Sequence, residues 1–326
     1  MCTALSFCHF FGRNFDLDQS YGEEVCVTPR HFPFLFRKAN PAYSHYAMIG
    51  MATVREGIPL YYDAINEHGV AMAGLHFPGN AIYHHLSKEK DNIAPFEFIP
   101  WVLSQCKNLQ EVEALLQRIS IADIPFSDTL PSTPLHWMIA TPQGNLTVES
   151  TARGVEIFEN FVGVLANNPE FGLQIENLER YSSLTNESPS PKILSPSAHN
   201  LHSLGMGAVG LPGDYSSTSR FVRASFLRRF ADSAEREDGA VEQFLHLLGG
   251  VAVPKGCVKT PDGKDHFTRY RSAMDLKNIV YYYTTYFGSA ITAISPHDIP
   301  LDSANLIRFP QTVKNGIFSP TKQISV

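Results

Sequence analysis

Strand-prone and helix-prone stretches come in separate blocks along this chain, and that order limits the fold more than any other feature of the sequence. Between Tyr46 and Phe77, β-prone runs alternate with turns, as in "HYAMIGMATV" and "IPLYYDAINEHGVAMAGLHF", where Asn66-Glu67-His68-Gly69 predicts a hairpin connection. The next stretch, "APFEFIPWVLSQCKNLQEVEALLQRI", has helical spacing that fits two consecutive helices, with Asn108 as an N-cap and Glu111 as its capping partner. β character returns in "PLHWMIATPQGNLTVESTARGVEIFENFVGVLAN", with turns at Gln143-Gly144 and Arg153-Gly154. Helical patterns follow at about 170–181, 216–234 and 240–249, and "NIVYYYTTYFGSAITAI" supplies two last strands around Gly288-Ser289. Repeated βαβ units would alternate one strand with one helix. Segregated blocks instead predict an α+β protein, with antiparallel sheets covered by helices packed in layers.

A length of 326 residues allows one large body or two ordinary domains. The Pro-, Ser- and Asn-rich stretch 186–203, "NESPSPKILSPSAHNLHS", reads as a long surface loop, not a boundary, because the segments on both sides are needed to complete one layered body. The expectation is a single domain over residues 1–326. A net charge of −6 gives no general attraction to nucleic acid or anionic lipid. No run approaches the roughly 18 apolar residues of a membrane span, and the start lacks a signal-peptide pattern. Five cysteines without a CxxC pair suggest neither a disulfide framework nor a zinc site, so a reducing, cytoplasmic location is expected.

Three catalytic signatures fail on context. Gly205-Met206-Gly207-Ala208-Val209-Gly210 matches a dinucleotide fingerprint in letters, but no strand precedes it and "LPGD" follows where a helix should begin. A glycine-rich loop is the better reading. Among thirteen histidines, His84-His85 are adjacent and His199 and His202 lie three apart, yet no HExxH or carboxylate at ligand spacing accompanies them, and no metal is expected. No GxSxG elbow is present.

The opening segment, "MCTALSFCHFFGRNFDLD", is different. Cys8, Cys26, Cys106 and Cys257 are expected to be small buried hydrophobes. Cys2, however, becomes the terminus once Met1 is removed. Its α-amine, with an ordinary pKa of about 7.7–8.0, then accepts a proton near neutral pH within the same residue as the sulfur. A hairpin starting at Cys2 would return residues 11–18 past the terminus. Arg13 could then favour the thiolate and Asp16 orient the amine. Met-Cys starts also occur by chance, so the residues alone leave the nucleophile open.

Taken together, "MCTALSF", "FGRNFDLD", "VTPR", "YYDAINEHGVAMAGLHFPG", "PFEFIPWVL", "PLHWMIA", "GVLANNP", "GLPGDYSSTSRFVRASF" and the closing "YYYTTY" resemble the choloylglycine hydrolase family of bile salt hydrolases and penicillin V acylases, in order and spacing along the whole chain. The resemblance implies an N-terminal-nucleophile amidohydrolase with a four-layer αββα fold, a homotetramer with no cofactor. It implies Cys2 as nucleophile, Arg13 beside the thiol, Asp16 on the amine, Asn167 in the oxyanion hole, and Arg220 supporting the network. The substrate it implies is a glycine- or taurine-conjugated bile salt; the alternative is penicillin V or a related N-acyl amide. The chain departs from the family at "AGLHF", where His76 replaces an expected Asn. The family uses that residue's backbone N–H, so chemistry is expected to survive and substrate preference to change. In "IADIPFSDTLP", Phe126 and Leu130 fall on positions expected to line an apolar pocket, or else to anchor the loop. A non-catalytic scaffold that sequesters amphipathic anions is the reading from another functional class.

Overall fold

The computed structural model describes residues 1–189, 203–233 and 240–312. Most of the expected 186–203 loop, with His199 and His202, lies outside them. Among the described residues the strands form two large antiparallel sheets and one short parallel pair, Asp91–Ile93 with Ile119–Ile121. The six-stranded sheet runs Val164–Leu165, Cys2–Phe7, Phe10–Leu17, Phe267–Asp275, Val280–Thr285, Gly288–Ile294. The eight-stranded sheet runs Gly154–Glu159, Gly144–Thr151, Leu135–Thr141, Ala71–His76, Ile58–Asn66, Met48–Arg55, Glu24–Thr28, Ile307–Pro310. The first three and the last four described strands are each divided between the two sheets.

Side chains of the eight-stranded sheet alternate between two cores. Val25, Ile49, Met51, Ala73, Leu75 and Met138 face the six-stranded sheet, whereas Cys26, Met48, Met72, Trp137 and Ile139 face a second core with Phe98, Trp101, Val112 and Leu115. A strand's period of two makes this division automatic once each face is covered. The helices Phe98–Leu103 and Leu109–Leu116 therefore close one side of the molecule. The helices Ser217–Phe230 and Ala240–Gly249 pack on the six-stranded sheet through Phe221, Phe244 and Leu248, and Phe171–Glu179 packs beside the first of them through Phe171 against Phe221. The result is the expected αββα order of layers.

Local signals set several boundaries where expected. Asn108 Oδ1 accepts the Glu111 N–H at 2.9 Å, although the Glu111 carboxylate turns to the Lys107 N–H and does not close the capping box. Ser216 caps Ser217–Phe230, which ends four residues before the expected 234. In the hairpin after Ile58–Asn66, Asn66 Oδ1 accepts from His68 and Val70 N–H, and Gly69 takes φ +80°. The last hairpin turns at Tyr286-Phe287, so Gly288 opens its second strand and is not the centre of the turn. One expectation is corrected: Cys26 and Cys106 are buried, but Cys8 and Cys257 are exposed, because both lie in turns rather than on core faces.

Candidate active site

The first hairpin assembles the first part of the site by register. Cys2–Phe7 and Phe10–Leu17 are joined by the two residues Cys8-His9, with Cys8 at φ +53°. Cys2 pairs with Phe15 and Ala4 with Arg13, so Cys2, Arg13 and Phe15 share the face toward the eight-stranded sheet. The Arg13 guanidinium crosses between the sheets, donating to Tyr62 O at 3.0 Å and Gly74 O at 2.5 Å, with its centre 5.0 Å from the Phe15 ring. The Cys2 thiol is close enough to act on its charge. Burial alone would lower the Arg13 pKa; the Cys2, Tyr270 and Asp63 groups outweigh it, and the net direction is upward. Asp63 is itself buried and accepts from Tyr270 Oη at 2.7 Å and Tyr281 Oη at 2.6 Å; burial raises its pKa, against the pull of Arg13.

Asn14 and Asp16 alternate to the helical side of the sheet, where Asn14 donates to Leu248 O. Asp16 Oδ1 accepts from Thr268 Oγ1 at 2.6 Å. Its buried Oδ2 has no hydrogen-bond partner among the described residues. A buried carboxylate oxygen left open asks for a donor. Met1 is in place here, its amine 2.9 Å from His266 Nε2 and 3.2 Å from Asp16 O. Burial lowers that amine's pKa, against Cys2 and Asp16, which raise it.

The edge strand Val164–Leu165 brings the next component. Its pairing of Leu165 with Ala4 places residue 167, two residues past the ladder, opposite Cys2. Asn167 Oδ1 accepts the Cys2 N–H at 2.7 Å, and Asn167 Nδ2 donates to His76 O at 2.6 Å. Arg220, fully buried on Ser217–Phe230, donates from Nη2 to the same Asn167 Oδ1 at 2.7 Å, and from Nη1 to Cys2 O and Thr3 Oγ1. Desolvation lowers the Arg220 pKa, opposed by Asp16 and Cys2.

His76 ends the strand Ala71–His76. The neighbouring Phe77 N–H donates to Pro134 O, so alternation along the ladder turns the His76 N–H and carbonyl to the opposite side, where Gly74 O meets Arg13 and His76 O meets Asn167. Its ring is exposed at the mouth of the site. Desolvation by the surrounding protein, then the terminal ammonium and His136, lower its pKa.

The structure thus brings Cys2, Arg13, Asp16, His76, Asn167 and Arg220 together. Phe126 and Leu130 stand apart from these contacts. Phe126 is 7% exposed, packed edge-on against Phe96 with Arg37 over its ring, and its N–H is bonded to Leu130 O. It anchors the loop; half-buried Leu130 is the one with surface to offer a ligand. Sequence reasoning missed Thr3, and it missed Thr268, His266 and the Asp63–Tyr270–Tyr281 group, which no local pattern connects to residue 2. His84, adjacent to His85, bonds the Thr151 carbonyl through Nε2.

The chain and its fold have known counterparts. The profile of the linear amide C–N hydrolases, choloylglycine hydrolase family, matches residues 2–309. The bile salt hydrolase/transferase of Lactiplantibacillus plantarum is 45% identical over 95% of this chain and 97% of its own length. That of Clostridium perfringens is 37% identical over 93% and 94%. A crystal structure of a variant conjugated bile acid hydrolase from Clostridium perfringens superposes with a TM-score of 0.91 at 32% identity, covering 97% of this chain and 99% of that one. Penicillin V acylase from Agrobacterium tumefaciens, at 19% identity and TM-score 0.74 over 95% and 91%, shares the fold. With its profile spanning nearly the whole length and such relatives covered end to end, this chain belongs to the choloylglycine hydrolase family of linear amide C–N hydrolases.

Proposed function

We propose that this chain hydrolyses the amide of glycine- or taurine-conjugated bile salts through a thioester on Cys2, once Met1 has been removed. The observation that carries the reading is the convergence on one residue. The Cys2 nitrogen meets Asn167 Oδ1, its thiol lies against Arg13, and an open Asp16 oxygen waits on the adjacent strand. Freed of Met1, that nitrogen is an amine able to take the thiol proton, and Asp16 Oδ2 is an acceptor for it. Sγ attacks the amide carbonyl carbon. The oxyanion is received by the His76 N–H and the second hydrogen of Asn167 Nδ2, whose first is bound to His76 O. The amine passes its proton to the departing glycine or taurine nitrogen, leaving a thioester. Water then attacks, its proton returns by the same amine to sulfur, and the bile acid leaves. Relatives carry the name hydrolase/transferase, and an amino acid's amine in place of water would give a new conjugate from the same thioester.

The substrate choice rests on those relatives, which are named for bile salts at up to 45% identity. The test is a product assay with glycocholate, taurocholate and penicillin V, alongside Cys2→Ala. Release of glycine or taurine that vanishes in Cys2→Ala supports the proposal. Penicillin V cleaved as fast as glycocholate overturns the substrate, turnover that survives Cys2→Ala overturns the nucleophile, and ligand binding without turnover favours the sequestering scaffold. We further propose one domain acting in the cytoplasm as a homotetramer. The sharing of the first and last described strands between both sheets, the buried thiols Cys26 and Cys106, and the family resemblance support these points. No helix among the described residues is long and apolar enough to cross a membrane.

A further inference from the structure

Behind the site lies a buried pair that the reaction itself does not use. His136 and Glu149 sit on neighbouring strands, one register step beyond the Trp137 and Val148 pairing, and both side chains are 0% exposed. His136 Nδ1 is 3.0 Å from Glu149 Oε1, and Nε2 is 2.7 Å from the Ala166 carbonyl. Both neighbours are acceptors, whereas a neutral imidazole has a single N–H. Both contacts become hydrogen bonds only when the ring carries two hydrogens or the carboxyl carries the second. The imidazole also stacks on Phe77 at 4.1 Å with a 7° interplanar angle. Glu149 accepts the Phe171 N–H at 3.0 and 3.2 Å, holding the start of Phe171–Glu179.

These contacts touch both proposed oxyanion donors from the rear. Ala166 immediately precedes Asn167, and Phe77 immediately follows His76. One ring therefore fixes the peptide that carries the Asn167 amide and the strand end that carries the His76 N–H. A buried polar pair is weak support for stability, since a well-packed apolar pair of similar volume often does as well. It is a strong way to hold two chain segments at a set separation. Donors stabilise a developing oxyanion only when held in place beforehand.

We propose that His136 and Glu149 are positioning residues that set the geometry of the oxyanion hole. The inference rests on the mechanism proposed above. The pair should contribute to the tetrahedral state and little to the binding of the steroid, because neither side chain reaches the surface.

The experiment uses His136→Gln and Glu149→Gln in the processed chain, each checked for folding by thermal melting. Two ligands are compared: free bile acid, and its aldehyde analogue, whose carbonyl carbon bonds to Sγ while the thiol proton passes to the carbonyl oxygen. The expected result is a kcat about 10–100-fold lower with KM within about threefold. Affinity for the aldehyde should fall by a similar factor, with affinity for the free acid kept. A folded variant with kcat within twofold of the unaltered chain overturns the proposal, as do equal losses for aldehyde and free acid. If the single variants do not fold, the double variant His136→Phe with Glu149→Leu leaves no lone buried charge. The same loss of aldehyde affinity then supports the proposal, and its retention overturns it. The aldehyde comparison needs no bile salt turnover, so an unaltered chain that cleaves no conjugate counts against the proposed substrate and leaves the pair to be judged separately.

Discussion

Arg220 and Cys2 share one oxygen: Asn167 Oδ1 receives both the Arg220 Nη2–H and the Cys2 N–H, each at 2.7 Å. The guanidinium also holds the Cys2 carbonyl and Thr3 Oγ1, and its Nε donates to Tyr215 O at 3.1 Å. A planar fork serves these partners in fixed directions; an ammonium has no such fork. Arg220→Lys is therefore expected to lower kcat/KM by about 10²-fold or more despite keeping the charge, because a small misplacement at a reacting centre is costly. Steady-state kinetics on a conjugated bile salt check this, and a lysine variant within threefold of the parent would refute it.

Asn167 uses its oxygen toward the terminus and its nitrogen toward His76. Asn167→Ala should reduce kcat by about 10²–10³-fold, corresponding to about 2.7–4 kcal/mol, with KM changed far less. Single-turnover acylation read by mass spectrometry separates this from slower product release; an unchanged acylation rate would remove Asn167 from the oxyanion hole.

Retention of Met1 makes the Cys2 nitrogen an amide, which cannot accept a proton. A chain carrying an uncleaved residue before Cys2 should have under about 1% of the activity of the processed chain, within the range that nucleophile activation contributes. Intact mass paired with activity on the same preparation tests it. Equal activity in both forms rules out the amine as base.

His76 contributes backbone to the site and a ring to its mouth. His76→Asn should keep kcat on its better substrate within about threefold while moving the ratio of bile salt to penicillin V cleavage by about tenfold, the scale of a modest pocket change. Competition between the two substrates measures the ratio directly. A kcat collapse would mean that the ring takes part in the chemistry.

In the chain that retains Met1, stability should fall with acid through His266. Desolvation first, then the terminal ammonium, lowers its pKa to about 4. The folded chain therefore binds fewer protons than the unfolded chain between that value and the ordinary histidine range near about 6.5. Its contribution is present above about pH 6.5 and is lost as the pH falls toward 4. Thermal melting from pH 7 to 4 should show a decline that His266→Gln makes shallower; an identical slope in the variant would assign the decline to other groups.

What the sequence determined by itself was local. Two-residue periodicity against helical spacing separated sheets from helices. Asn108 and Ser216, and the Asn66 oxygen that caps its turn, act within four residues of themselves, so these roles are visible in short windows, whereas the Asn66 nitrogen reaches the Leu103 and Cys106 carbonyls. The hairpin belongs to this class: a strand from Cys2 that turns back at once must carry Arg13 and Asp16 past the terminus, whatever the rest of the chain does. The positions of Asn167 and Arg220 were readable only through resemblance. Tertiary structure alone decided what completes the site. An edge strand only two residues long sets Asn167 opposite Cys2, a helix face aims Arg220, and the strand Phe267–Asp275, with Thr268 opposite Asp16, comes some 250 residues after the carboxylate it serves. Such pairings depend on sheet order and register. Those in turn are settled by burying both faces of two sheets at once, a condition no short stretch of residues contains.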